Sequence, residues 1–193
     1  MRNVIALLLF AFITATANAG DWYAGAYGGA NWDDVLAHPK VNSNTGIVVG
    51  GVVGRTVPAV PGLRIEADIS FRQNDVDVGP FGPLTINVDH DTFALLGNLV
   101  WDVPVKLGPV QPFVLAGVGY ANTEATFENV SLLKLEASGV AFQLGGGLQT
   151  QVADGIGLGV SYRYFQGPSL EVLGTELSDG SNHSVVAELK FAL

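Results

Sequence analysis

The sequence contains no cysteine. This excludes a disulfide framework, a zinc–thiolate site and a cysteine-linked lipid anchor. Charge is scarce as well: charged residues make up 14% of the chain, whereas soluble domains usually carry about 25%. Basic residues are the scarcest, 9 lysines and arginines against 18 acidic residues, for a net charge of −9. Nucleic acid is therefore not an expected partner, because phosphate binding needs basic surface. Beyond the N-terminal segment there is no apolar run of the roughly 18 residues that a membrane-spanning helix requires. Yet the mean hydropathy is positive, +0.35, so the chain is too apolar for an ordinary soluble domain and too interrupted for a helical membrane protein.

The N-terminus has the parts of a secretory signal peptide. Arg2 supplies the positive charge, Val4 to Ala15 an apolar stretch too short to cross a bilayer, and Ala17-Asn18-Ala19 a small-x-small cleavage motif. The expected division is a cleaved signal over residues 1–19 and one domain over residues 20–193.

Within that domain the apolar residues recur with a period of two. Leu63, Ile65, Ala67, Ile69 and Phe71 alternate without exception with Arg64, Glu66, Asp68, Ser70 and Arg72, a pattern that only a strand satisfies. The same scheme runs through 139–152, 156–165 and 184–193, and more faintly through 22–32, 92–103 and 112–121. The valine-rich segment 45–57 also reads as a strand, but its two faces are too alike to orient. Eight strands of about 10 residues each match the length that a tilted barrel strand needs to cross a membrane. A transmembrane barrel also reconciles the composition, since lipid-facing residues occupy alternate positions and every backbone group pairs between strands. The 25 glycines suit the crowded inner face of a narrow barrel.

Connections alternate in length: 58–62, 104–109 and 153–155 are short, while 33–44, 73–91, 122–138 and 166–182 are long. Short turns are periplasmic and long loops extracellular in such barrels. Trp22, Trp32, Trp101, Tyr120, Tyr162, Tyr164 and Phe191 fall near strand ends, where aromatic girdles belong. The expected fold is all-β: an eight-stranded antiparallel up-and-down transmembrane β-barrel.

The pattern resembles the opacity-protein-like and OmpA-type small outer-membrane barrels. The residues that carry the likeness are Trp22-Tyr23-Ala24-Gly25-Ala26-Tyr27-Gly28-Gly29, the stretch Gly62-Leu63-Arg64-Ile65-Glu66-Ala67-Asp68, the stretch from Pro112 to Tyr120, Ser161-Tyr162-Arg163-Tyr164-Phe165, and the last strand. The resemblance implies insertion into the bacterial outer membrane, contact with its lipid and lipopolysaccharide, and a C-terminal strand recognised by the barrel-assembly machinery. Val185, Ala187, Leu189, Phe191 and Leu193 would form that signal. Relatives usually end in Phe; here Leu193 keeps the apolar alternation. An appended peptidoglycan-binding domain, of the kind some relatives carry, is not expected.

Little chemistry is legible. His183-Ser184 is the strongest catalytic candidate, as some outer-membrane barrels deacylate lipid A with such a dyad, but adjacent strand residues point to opposite faces. Asp89-His90-Asp91 is too small for a metal site. Asp75-x-Asp77-x-Gly79 lacks the later glutamate of a calcium loop. The glycine runs at 145–147 and 155–159 precede no helix, so they are not phosphate loops. Asn129-Val130-Ser131 matches a glycosylation sequon of little meaning in a bacterium. No catalytic, cofactor or metal site is expected, and the chain reads as a non-enzyme.

Two constellations remain. Arg64, Glu66, Asp68, Arg72, Asp102, Arg163, Glu188 and Lys190 should point into the lumen, four basic and four acidic, either as an ion-paired plug or as the lining of a narrow pore. The long loops concentrate acid (Asp33, Asp34, Asp75, Asp77, Asp89, Asp91, Glu124, Glu128, Glu136, Glu171, Glu176 and Asp179) against Lys40 and Lys134. They would serve solubility, divalent-cation contact with lipopolysaccharide, or a basic host surface molecule. The expected role is structural or surface-exposed (envelope integrity, adhesion, surface antigen), with a porin-like small-solute channel as the alternative and a lipid A-modifying enzyme behind it.

Overall fold

The computed structural model describes residues 22–33, 41–43, 45–81, 84–105, 107–127, 134–172, 175–178 and 180–193. The expected signal peptide and the Asn129-Val130-Ser131 sequon lie outside them. Eight long strands close a barrel: β1 (Trp22–Asp33), β3 (Gly46–Thr56), β4 (Leu63–Phe81), β5 (Leu84–Asp102), β6 (Val110–Phe127), β7 (Lys134–Ala153), β8 (Ile156–Gln166) and β11 (Ser181–Ala192). Each pairs antiparallel with its neighbours in the chain, and β1 against β11 closes the cylinder, from Tyr23 opposite Ala192 to Asp33 opposite Asn182. Closure leaves the barrel no open edge, so its backbone groups are satisfied between strands. Three short strands decorate one end. β2 (Val41–Ser43) pairs with β4, while β9 (Leu170–Val172) and β10 (Thr175–Ser178) form a small hairpin.

The ends differ as the spacing predicts. At one end β7 turns into β8 through Asp154-Gly155 alone, with Gly155 at φ 71°, a left-handed conformation that glycine adopts without strain. The other end corrects the expected loops. Residues 73–91 are mostly strand: β4 and β5 stay paired from Gln73 opposite Asp91 to Val78 opposite Ile86, and again at Phe81 opposite Leu84. Residues 122–127 and 134–138 likewise extend β6 and β7, which stay paired as far as Thr126 opposite Lys134. The alternation of an apolar lipid face stops near residue 72, but backbone pairing does not require that face. Above a membrane, both sides of a strand meet water. At about 3.3 Å per residue, the 19 residues of β4 reach roughly 60 Å, well beyond the bilayer.

The barrel is apolar outside and polar inside. Ile65 and Ile69 on β4 are 47% and 42% exposed, while Glu66 and Asp68 between them are 5% and 1% exposed. The orientation of β3 is set by its partners. Val48 sits opposite Arg72 and Val52 opposite Asp68. Directly opposed residues share a face, so these valines turn inward and are buried while Ile47 and Val53 face out. Inside, small apolar clusters such as Val100 with Phe113 and Leu115, or Tyr27 with Val48, Val52 and Val186, alternate with charged groups.

Candidate functional site

The lumen is built from the inward residue of every second strand position, so charges distant in sequence meet. Nearest the short-turn end, Arg64 of β4 bonds Asp102 of β5 at 2.7 Å and Gln149 of β7 at 3.2 Å. Glu66 accepts from the Tyr23 hydroxyl at 2.7 Å and from Lys190 Nζ at 3.1 Å, and lies 3.4 Å from Arg64. Lys190 also lies 3.4 Å from Glu188, whose other oxygen is 3.7 Å from Arg163. The Arg64 and Lys190 cations sit over the Tyr23 and Phe113 rings at 5.3–5.8 Å, where ring quadrupoles attract positive charge.

One layer further in, Asp68 of β4 is the hub. Its Oδ1 accepts from the Tyr27 hydroxyl of β1 at 2.7 Å. Its Oδ2 accepts from Asn98 of β5 at 3.2 Å, Gln143 of β7 at 3.2 Å and Arg163 of β8 at 3.1 Å. One carboxylate thus ties its own strand to four others. Asp68, Gln143 and Arg163 are each at most 2% exposed, so this layer is packed away from solvent. Burying such charges is costly unless each is paired and hydrogen-bonded, and here the pairing spans the full width of the barrel. Above it, Arg72 bonds Ser70 at 2.7 Å and stacks on Phe165 at 3.9 Å, and Thr92 bonds Thr123 at 3.0 Å. Below it, a cavity of about 430 Å³ opens at the short-turn end, with Glu188 and Lys190 among its lining residues.

All eight charged residues read from the sequence as inward-facing lie in or beside this column. Their neutral partners, Tyr23, Tyr27, Asn98, Gln143 and Gln149, carry no charge to single them out in the sequence. The two tyrosines share the inner face of β1 at a spacing of four, and Gln143 and Gln149 share that of β7. The period of two is the signal that places them beside the charges.

His183 and Ser184 point to opposite faces. Ser184 is buried in the lumen and donates to the Arg163 carbonyl at 3.4 Å. His183 is on the outer wall, with Trp32 and Tyr164 opposite it on the neighbouring strands at ring distances of 6.1 and 5.2 Å. No proton can pass directly between them. Asp75, Asp77 and Gly79 lie in strand β4, not in a loop, and among the described residues no group of three His, Asp or Glu is arranged to hold a metal ion. The register sets Asp91, Glu124 and Glu136 opposite one another on three successive strands. On the last strand, Val185, Leu189 and Phe191 face outward, with Leu193 exposed just beyond it, while Val186 and Glu188 face in. Ala187 shares the outer face.

The family model described as outer membrane protein beta-barrel domain matches residues 4–191. The structure is similar to Neisserial surface protein A, with 14% identity over 92% of this chain and 100% of that one and a TM-score of 0.65. It is also similar to the N-terminal β-barrel domain of OprF from Pseudomonas aeruginosa, with 11% identity over 91% of this chain and 100% of that one and a TM-score of 0.51. No curated protein matches the sequence. At these identities the solved structures speak to the fold alone.

Proposed function

The chain belongs to the outer membrane protein β-barrel family, and from that premise we propose that it is a closed, non-enzymatic barrel with a structural or surface-interaction role. The observation that carries this reading is the Asp68 layer. Four side chains from four other strands converge on one buried carboxylate in the middle of the lumen, which supports a plugged barrel. A lumen filled in this way stiffens the wall and lets the long-strand end act as a rigid platform above the membrane. Residues 1–19 direct export, the outward stripe of β11 is read by the barrel-assembly machinery, and the wall contacts outer-membrane lipid and lipopolysaccharide. The acid-rich end meets divalent cations or a basic host surface molecule. No role is assigned to His183 and Ser184 in lipid A chemistry, since the wall separates them.

The open cavity at the short-turn end favours a second reading, a narrow solute channel. Planar-bilayer recording of the purified barrel separates the two. Absence of stable unitary steps is expected; reproducible steps would establish the channel.

A further inference from the structure

The lower lumen is not filled, and the reason lies in two glycines. On β11, Glu188 sits opposite Gly159 and Lys190 opposite Gly157 of β8. On the far side of β8, Gly159 sits opposite Gln149 and Gly157 opposite Gln151 of β7. Strand β8 therefore contributes bare backbone between an acid–amine pair and two amides. Other inward glycines of this region are required by packing. A Cβ on Gly25, Gly54, Gly145 or Gly147 would come within 2.9, 2.4, 2.6 or 2.2 Å of a neighbouring atom. A Cβ on Gly157 or Gly159 would meet nothing closer than 3.7 or 3.4 Å, which is ordinary contact. The missing side chains keep a slot open instead of relieving a clash. That slot forms part of the wall of the 430 Å³ cavity, a volume within the roughly 300–1,000 Å³ range of small-molecule sites.

We propose that this slot binds a small uncharged polyol presented from the periplasmic side. The acid and amine at its inner end select for that class. Glu188 Oε2 lies 3.9 Å from where a side chain on Gly159 would begin, and it is 3.4 Å from Lys190 Nζ, which also bonds Glu66. The charges are balanced within the network, so a ligand with net charge would enter uncompensated and at a desolvation cost. The pair still presents an acceptor and a donor side by side, since an ammonium has three donors and a carboxylate oxygen more than one lone pair. A hydroxyl both donates and accepts, and adjacent hydroxyls match the pair. Pro109 and Val110 on the cavity wall suit the C–H face of such a molecule. The slot lies below the Asp68 layer, so a polyol can occupy it in a barrel that does not conduct.

The test is amide NMR of the full barrel in lipid nanodiscs, following Gly157 and Gly159 during titration with D-glucose, n-butylammonium or butyrate. Glucose should give saturable shifts and the two charged probes none. Glu188→Gln should weaken glucose binding several-fold. Gly159→Leu, which fills the slot from a wall with room for it, should abolish the response; if that variant does not fold, Gly157→Val serves the same purpose. Linear, non-saturating shifts with glucose, saturable binding of either charged probe, or an undiminished response in the filled variant would each overturn the proposal.

Discussion

Tyr27 and Asp68, 41 residues apart, meet inside the barrel with the tyrosine hydroxyl donating to the carboxylate at 2.7 Å. The contact joins β1 to β4 across the intervening β3. It also completes the hydrogen-bond set of a carboxylate that is otherwise held by Asn98, Gln143 and Arg163.

Asp68→Asn keeps the shape of the hub but breaks its ion pair with Arg163, leaving the buried guanidinium with the more distant carboxylate of Glu188, at 3.7 Å. Removing one partner of a buried pair costs about 3–5 kcal/mol. Tyr27→Phe removes a single bond to a charged acceptor and should cost less, about 1.5–3 kcal/mol. Reversible urea unfolding from lipid vesicles ranks the two. An Asp68→Asn variant no less stable than Tyr27→Phe would show that the layer is not held by its ion pair.

Ala67 is on the lipid face between Ile65 and Ile69. Ala67→Arg places a charge at mid-strand, and arginine near the bilayer midplane of a barrel costs about 2–4 kcal/mol. The same unfolding assay reads that loss. A fluorophore on a cysteine at position 67 should be quenched by lipid-chain quenchers, whereas one at position 68 should not. Equal quenching at both would contradict the face assignment.

Orientation follows from the two-residue turn at Asp154-Gly155 and the long strands at the other end. An epitope placed between Phe81 and Leu84, where β4 passes into β5, should be labelled on intact cells. One placed near Pro61 should be labelled only after the outer membrane is opened. The reverse pattern would invert the barrel.

Export is tested at the N-terminus. Edman sequencing of the outer-membrane form should begin at Gly20, following Ala17-Asn18-Ala19. A mature protein that retains Arg2 would refute the cleavage.

Several properties were legible from composition and period alone. The absence of long apolar runs beside high overall apolarity left strands as the only way to cross a membrane, and the alternation of 63–72 assigned its faces before any partner was known. The inner positions of the eight charges followed from the same period, because a strand offers only two sides. Other properties required the closed sheet. The face of β3 depends on its pairing with β4, since valine occurs on both of its sides. The extension of β4 past residue 72, and of β5 to β7 at the same end, depends on cross-strand hydrogen bonds that leave no hydropathy signal where both faces meet water. Which charge pairs with which is decided by barrel radius and register, which bring Asp68 and Arg163 within 3.1 Å across 95 residues of chain. Glycine has the same letter at 147 and 159, and only the neighbouring atoms show that one position is crowded and the other open.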